Sequence, residues 1–235
     1  MENRLPESAG PERAREPLSR PRILRAGVEL ADARGIERLS MRALAAVLGV
    51  EAMSLYNHVA NKDDLLDGMV DLVMTEIEAP ARDASWRDAM RRRATTSRAA
   101  YARHPWAPQL VDTRSSAGPG RLASFDATIG CLRRAGFPHA LIVHALSTLD
   151  AYVHGFAAHR LHIAQAEVPD DVAMAEALAA WLPPERYPSL SALVQEHVLV
   201  DGYDEDEGFD FGLDLVLDGL EQRLTRAPRP TDGDA

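Results

Sequence analysis

Tyr56, Asn57 and His58 set a phenol, a carboxamide and an imidazole on consecutive residues, and Lys62, the only lysine of the chain, follows shortly after. Phenol, imidazole and ammonium groups donate to phosphate oxygens, whereas a carboxamide carries the paired donor and acceptor that match a base edge. Ser54 adds a hydroxyl and Arg42 a guanidinium close by. This is chemistry for a nucleic-acid duplex. Catalytic chemistry has no comparable signal: no G-x-S-x-G, Walker loop, zinc motif or dinucleotide fingerprint occurs, and Cys131 falls on an apolar helix with no partnering base.

Such side chains need a rigid carrier, and the stretch from Leu39 to Lys62 supplies one. Leu39, Leu44 and Leu48 anchor a helix that Ser40 caps, Ala45 is small where two helices must approach, and Gly49 suits a helix-ending turn. Val50, Leu55 and Val59 give the next helix its inner side. The spacing predicts a helix-turn-helix with a recognition helix over 52–58, turning Ala52, Met53, Ser54, Tyr56, Asn57 and His58 toward a DNA groove or its walls. A first helix over 19–34 backs this pair: Leu24, Val28 and Ala31 recur at helical spacing, Ser19 reads as its cap, Pro21 fits its first turn and Gly35 stops it.

The order of residues carries more than an apolar pattern. Gly35-Ile36-Glu37, Ser40-Met41-Arg42-Ala43-Leu44-Ala45, Leu48-Gly49-Val50, Leu55-Tyr56-Asn57-His58-Val59 and Asn61-Lys62 together resemble the tetracycline-repressor (TetR) family of bacterial transcription regulators. The resemblance implies that Arg42 reaches a base, with Ser40 and Met41 beside it, that Ser54 and Tyr56 meet the DNA backbone, and that Lys62 meets a phosphate. Ala52 and Asn57 stand where the tetracycline repressors themselves have a base-reading glutamine and a tryptophan, so the operator sequence should differ.

Composition sets the frame. A chain of 235 residues accommodates a small module and a larger body, and the reading is all-α. The boundaries are a flexible arm over 1–18, the helix-turn-helix domain over 19–64, a ligand-binding and dimerisation domain over 65–226, and a loose tail over 227–235. Net charge is −10, yet residues 1–62 hold ten Arg and Lys against eight Asp and Glu, so the acidity belongs to the body. Arg13, Arg15, Arg20 and Arg22 are within reach of a DNA backbone or minor groove, unless the arm is only a solvated tail. One cysteine, no membrane-length apolar run and no secretory signal make a cytoplasmic protein the expectation.

In the body, Asn61 and Asp64 cap a connecting helix with two apolar stripes, Leu65, Met69, Leu72 and Leu66, Val70, Val73, Ile77, ending at Pro80. Ser85 opens a helix to about Arg103, on which Arg91, Arg92 and Arg93 read as a solvated face paired with acidic groups. Long helices follow over 139–163 and 209–224, with an acidic loop over 201–207 between them; Gly212 and Gly219 allow close approach. Both helices carry more apolar face than one chain buries, so a two-fold partner completing a four-helix bundle is expected.

The resemblance extends to Thr113-Arg114 and to the run from Ala145 to Gly155. It implies a small-molecule inducer, with Leu110 where the family holds a metal-binding histidine and His159 where it has an acidic companion, so magnesium-tetracycline is not expected. Candidate ligand-binding residues are His104, Trp106, Arg114, Phe125, Ile129, His144, Tyr152, His154 and Phe156. Five histidines lie between His139 and His162 without a set of ligands at metal spacing, so neither a metal nor a cofactor is expected. The function that follows is repression at a palindromic operator by a homodimer that an inducer releases. A helical binding protein without operator affinity, and an activator of the same fold, remain the alternatives.

Overall fold

The structure is a computed structural model and describes residues 17–114, 118–165, 171–199 and 205–226. Most of the proposed arm, including Arg13 and Arg15, the tail from 227, and residues 201–204 of the acidic loop lie outside them. Every described element is helical, in accord with the all-α reading.

The head is built from α1 (Arg20–Arg34), α2 (Met41–Leu48) and α3 (Ala52–Leu55). Ile23, Leu39, Leu44, Leu55 and Val59 close its core. Gly49 takes φ 68°, a left-handed conformation that lets the chain leave α2 within one residue. The Ser40 hydroxyl accepts from the Ala43 N–H at 3.1 Å, as a cap should. Ser19 differs: it occupies the cap position of α1 but makes no capping bond. Pro21 removes one of the two N–H groups that such a hydroxyl serves.

The connecting helix α4 (Lys62–Met74) starts with Asn61 Oδ1 accepting from the Asp64 N–H at 2.9 Å. It ends well before Pro80, where Thr75 turns its hydroxyl onto the Leu72 carbonyl at 2.6 Å. Both stripes face inward: Leu65, Leu66, Met69, Val70, Val73 and Ile77 are buried in one continuous core, with Leu65 and Met69 against Gly27 of α1. At the α1 crossing, a Cβ on Gly68 would stand 2.6 Å from Leu24 Cδ2, so the α4 backbone lies directly against the Leu24 side chain.

The body follows as α5 (Trp86–Arg103), α6 (Ala107–Thr113), α7 (Pro119–Arg134), α8 (His139–Gln165), α9 (Asp171–Trp181), α10 (Pro188–Leu193, running into a π turn over Val194–Val198) and α11 (Glu205–Arg226). α8 packs on α5 and α11, and Met90, Leu132, Leu149, Phe209, Leu213 and Leu217 fill the interior.

Two expectations are corrected here. Arg93 is buried rather than solvated and pairs with Asp150 at 2.7 Å, while Arg91 and Arg92 turn to Asp214 and Glu78. Three consecutive residues on a helix point about 100° apart, so one of them meets the core. The acidic loop is shorter than read, because Glu205 already opens α11 and Asp206 pairs with Arg98.

Candidate nucleic-acid interface and ligand body

α3 and the turn after it carry a face with open side chains. Met53 is 75% exposed, Tyr56 44%, and Arg42, Asn57 and Lys62 are exposed beside them. Ser54 is half-buried, and Met41 and Ala52 pack against the head's core. The side chain of His58 is half-buried, and its carbonyl accepts from Arg20 at 3.2 Å. The helix is shorter than expected: residues 56–58 form a turn rather than a continuation of α3. Arg20 does not extend toward DNA as a flexible arm would. It grips Asp64 through Nη1 at 2.9 Å and Nη2 at 2.7 Å, bolting α1 to the start of α4. These bonds, with the Ala60 N–H, hold the Asp64 carboxyl below the usual carboxylate range against the opposing effect of its partial burial.

Head and body meet at two polar joints. In the first, buried His104 directs Nδ1 at Asp32 of α1 (2.9 Å to Oδ1 and 3.0 Å to Oδ2) and Nε2 at Glu76 (3.2 Å). Trp106 donates its indole N–H to the same Asp32 oxygen at 2.7 Å. Burial pushes the Glu76 carboxyl up, but Arg103 and His104 outweigh it and leave the group below its ordinary value. In the second joint Arg114 reaches Asp67 through Nε and the Asp63 carbonyl through Nη2 at 2.8 Å. Asp71 of α4 meanwhile accepts from the Gly120 and Arg121 N–H groups at 3.2 and 2.8 Å, at the positive end of α7.

The nine candidate ligand residues are therefore not gathered into one cavity. His104, Trp106 and Arg114 hold the joints. His144 is exposed on an α8–α11 groove with Leu141, Leu215, Val216 and Gly219. Tyr152 donates to the Phe209 carbonyl at 2.8 Å, His154 Nε2 lies 3.0 Å from the Tyr101 hydroxyl, and Phe125 and Ile129 are half-buried on α7. Phe156 alone of the set lines a cavity of about 350 Å³ between α5, α8 and the start of α11. Its apolar wall comes from Tyr101, Pro105, Phe156 and Leu161, and its charged groups are Arg98, Arg160 and Asp206. The signal for these residues was present: 98, 101, 102 and 105 repeat at helical spacing, as do 156, 157, 160 and 161, but nothing local said that the two faces meet.

Residues 23–69 match the family described as bacterial regulatory proteins, tetR family, and residues 79–224 match the tetracyclin repressor-like C-terminal domain. The chain belongs to the TetR family. Among TetR-family proteins it is 37% identical over 221 residues to the HTH-type transcriptional repressor DrrR1 of Streptomyces coeruleorubidus, covering 90% of this chain and 80% of that one. It is 28% identical over 208 residues to the class A tetracycline repressor of Escherichia coli, covering 86% and 89%. The structure superimposes on the TetR-family protein ActR of Streptomyces coelicolor in complex with actinorhodin, with a TM-score of 0.73, 27% identity and coverage of 89% and 99%. It is accordingly a DNA-binding, ligand-responsive transcriptional regulator and not an enzyme. No described helix is long and apolar enough to cross a membrane.

Proposed function

We propose that the protein is a repressor that binds a palindromic operator as a homodimer in the cytoplasm and is released by a small-molecule inducer. The observation that carries this reading is the open polar face of the head, joined to the ligand body through α4 and two polar joints. On that face Arg42 and Asn57 are the base readers, Ser40, Ser54, Tyr56, His58 and Lys62 serve the phosphates, and Met41, Ala52 and Met53 shape the contact. Support for the homodimer comes from α8 and α11, where Val143 and Leu215 are exposed and a Cβ on Gly219 would meet nothing of its own chain. A four-helix bundle with the two-fold mate would cover that face.

The Escherichia coli relatives are named for tetracycline, and ActR has been solved with actinorhodin. For this chain we place the inducer outside the magnesium-tetracycline class, because Leu110 and His159 stand where the resemblance expects metal-holding groups. Ligand binding draws on the candidate set, with His104, Trp106 and Arg114 passing the change to the head and Phe125, Ile129, His144, Tyr152, His154 and Phe156 shaping the body around it. Two head separations, one fitting the operator, give release by linkage.

A salt titration against DNA flanking the coding sequence, with scrambled DNA as control, tests the reading. Saturable dimeric binding to a palindrome is expected, and scrambled-level affinity there and after random-site selection would refute it. Asn57→Ala should relax sequence preference by about 1–3 kcal/mol, whereas an equal loss on every sequence would make Asn57 a backbone contact.

A further inference from the structure

The cavity between α5, α8 and α11 has a feature that none of the candidate residues anticipates. Arg98 sits over a pair of aromatic rings, its guanidinium carbon 5.1 Å from the Phe156 centroid and 4.7 Å from that of Phe209. The rings are themselves in edge contact at 5.0 Å, so the guanidinium is held in place before any ligand arrives. Its acidic partner is held differently. The Arg98 side chain is 20% exposed, but that of Asp206, in the first turn of α11, is 78% exposed. An exposed carboxylate contributes little to such a pair and exchanges readily with another acid. Arg160 lines the same cavity and adds a second cation to its charge.

Pro105 also lines this cavity, and it is flanked by the two residues that hold Asp32 of α1. A ligand against Pro105 is thus one residue away from both His104 and Trp106. We propose that this cavity binds a flat aromatic acid, whose carboxylate replaces Asp206 on Arg98, and that the His104–Trp106 turn transmits its occupancy to the reading head through Asp32. This deepens the regulator reading and rests on it. The volume suits two or three fused rings, the aromatic wall supplies stacking area, and the preset guanidinium fork selects an acid over its neutral counterpart.

The test uses the full-length protein, 2-naphthoate and its uncharged analogue 2-naphthamide. Calorimetry should show the acid binding at least about tenfold more tightly than the amide, the worth of one charge-assisted bond. Arg98→Gln should abolish that preference. Asp206→Asn, on an exposed side chain, should strengthen acid binding about two- to fivefold by removing the competitor, and it decides the matter if Arg98→Gln fails to fold. Asp32→Ala should leave naphthoate affinity unchanged while bringing the ratio of operator affinities with and without naphthoate toward one. Equal affinity for acid and amide, or no saturable binding below about 10 mM, overturns the site. An acid preference that survives in folded Arg98→Gln also overturns it, and an intact release ratio in Asp32→Ala overturns the wiring. A wild-type protein that selects no DNA site refutes the regulator reading and the wiring with it, while the acid–amide comparison still decides the cavity.

Discussion

The two joints between head and body reach different helices, α1 of the head and the connecting α4, and sit in different surroundings. The His104 joint holds α1 and lies under cover, with both ring nitrogens facing carboxylates and the Trp106 indole sharing one of them. The Arg114 joint holds α4 and opens at one edge: Arg114 and Asp67 are covered, but the Asp63 side chain is 82% exposed. Buried polar contacts are costly to break because each abandoned group loses both partner and water, whereas open ones are replaced by solvent. The His104 joint is therefore the stiffer link, carrying a shift of the body to α1, and the Arg114 joint the more yielding one. A motion of the body that disturbs both moves α1 and α4 together, and the core they share keeps the head a rigid unit.

This contrast gives an order of effects. His104→Ala takes one partner from each of Asp32 and Glu76, which keep Trp106 and Arg103, and leaves a hole beside Trp106, so chemical denaturation should show a loss of about 2–3 kcal/mol. A loss under 1 kcal/mol would erase the distinction between the joints. Arg114→Ala should cost about 1–2 kcal/mol by the same measurement while altering inducer response, since water takes over at Asp63. Asp64→Asn, which touches neither joint, should cost about 1 kcal/mol, a figure discounted for the partial exposure of both partners.

That variant also has a pH signature. Arg20 lowers the folded-state pKa of Asp64, so its contribution is complete above the unfolded carboxylate value near pH 4 and is lost as pH falls through the lower folded value. Asp64→Asn should flatten this part of the acid limb in a stability–pH profile. Smallest in stability is Lys62→Ala, with an unchanged denaturation midpoint but a salt slope of operator binding reduced by about two, one for each subunit of the dimer. An unchanged slope would remove Lys62 from the interface.

What could be read in the chain beforehand was whatever depends on near neighbours. Ser40, Asn61 and Ser85 cap their helices as their spacing to the following residues requires. The stripes of α4 and the turn at Gly49 were equally legible, since helical period and glycine conformation act over one or two turns. The joints were not, because Asp32 and His104 are 72 residues apart and Arg98 and Asp206 are 108 apart. Charged residues carry no periodic mark of their partner. Arg93 shows the same limit from the other side: its position in a basic triplet suggested solvent, and only the packing of α5 on α8 decided that it meets Asp150. The likeness to TetR-family ligand domains drew attention to residues between 104 and 156. It did not say which of their side chains would be spent on holding the head.

Lys62 has a practical consequence beyond its proposed part in DNA binding. It is the only side-chain amine in 235 residues and stands exposed at the first position of α4. A reagent that acylates lysine side chains therefore has one side-chain address, on the face proposed to meet DNA, and erases the positive charge there. Bound operator should shield it, so the extent of acylation at this one residue becomes a direct chemical readout of how much protein is off its DNA.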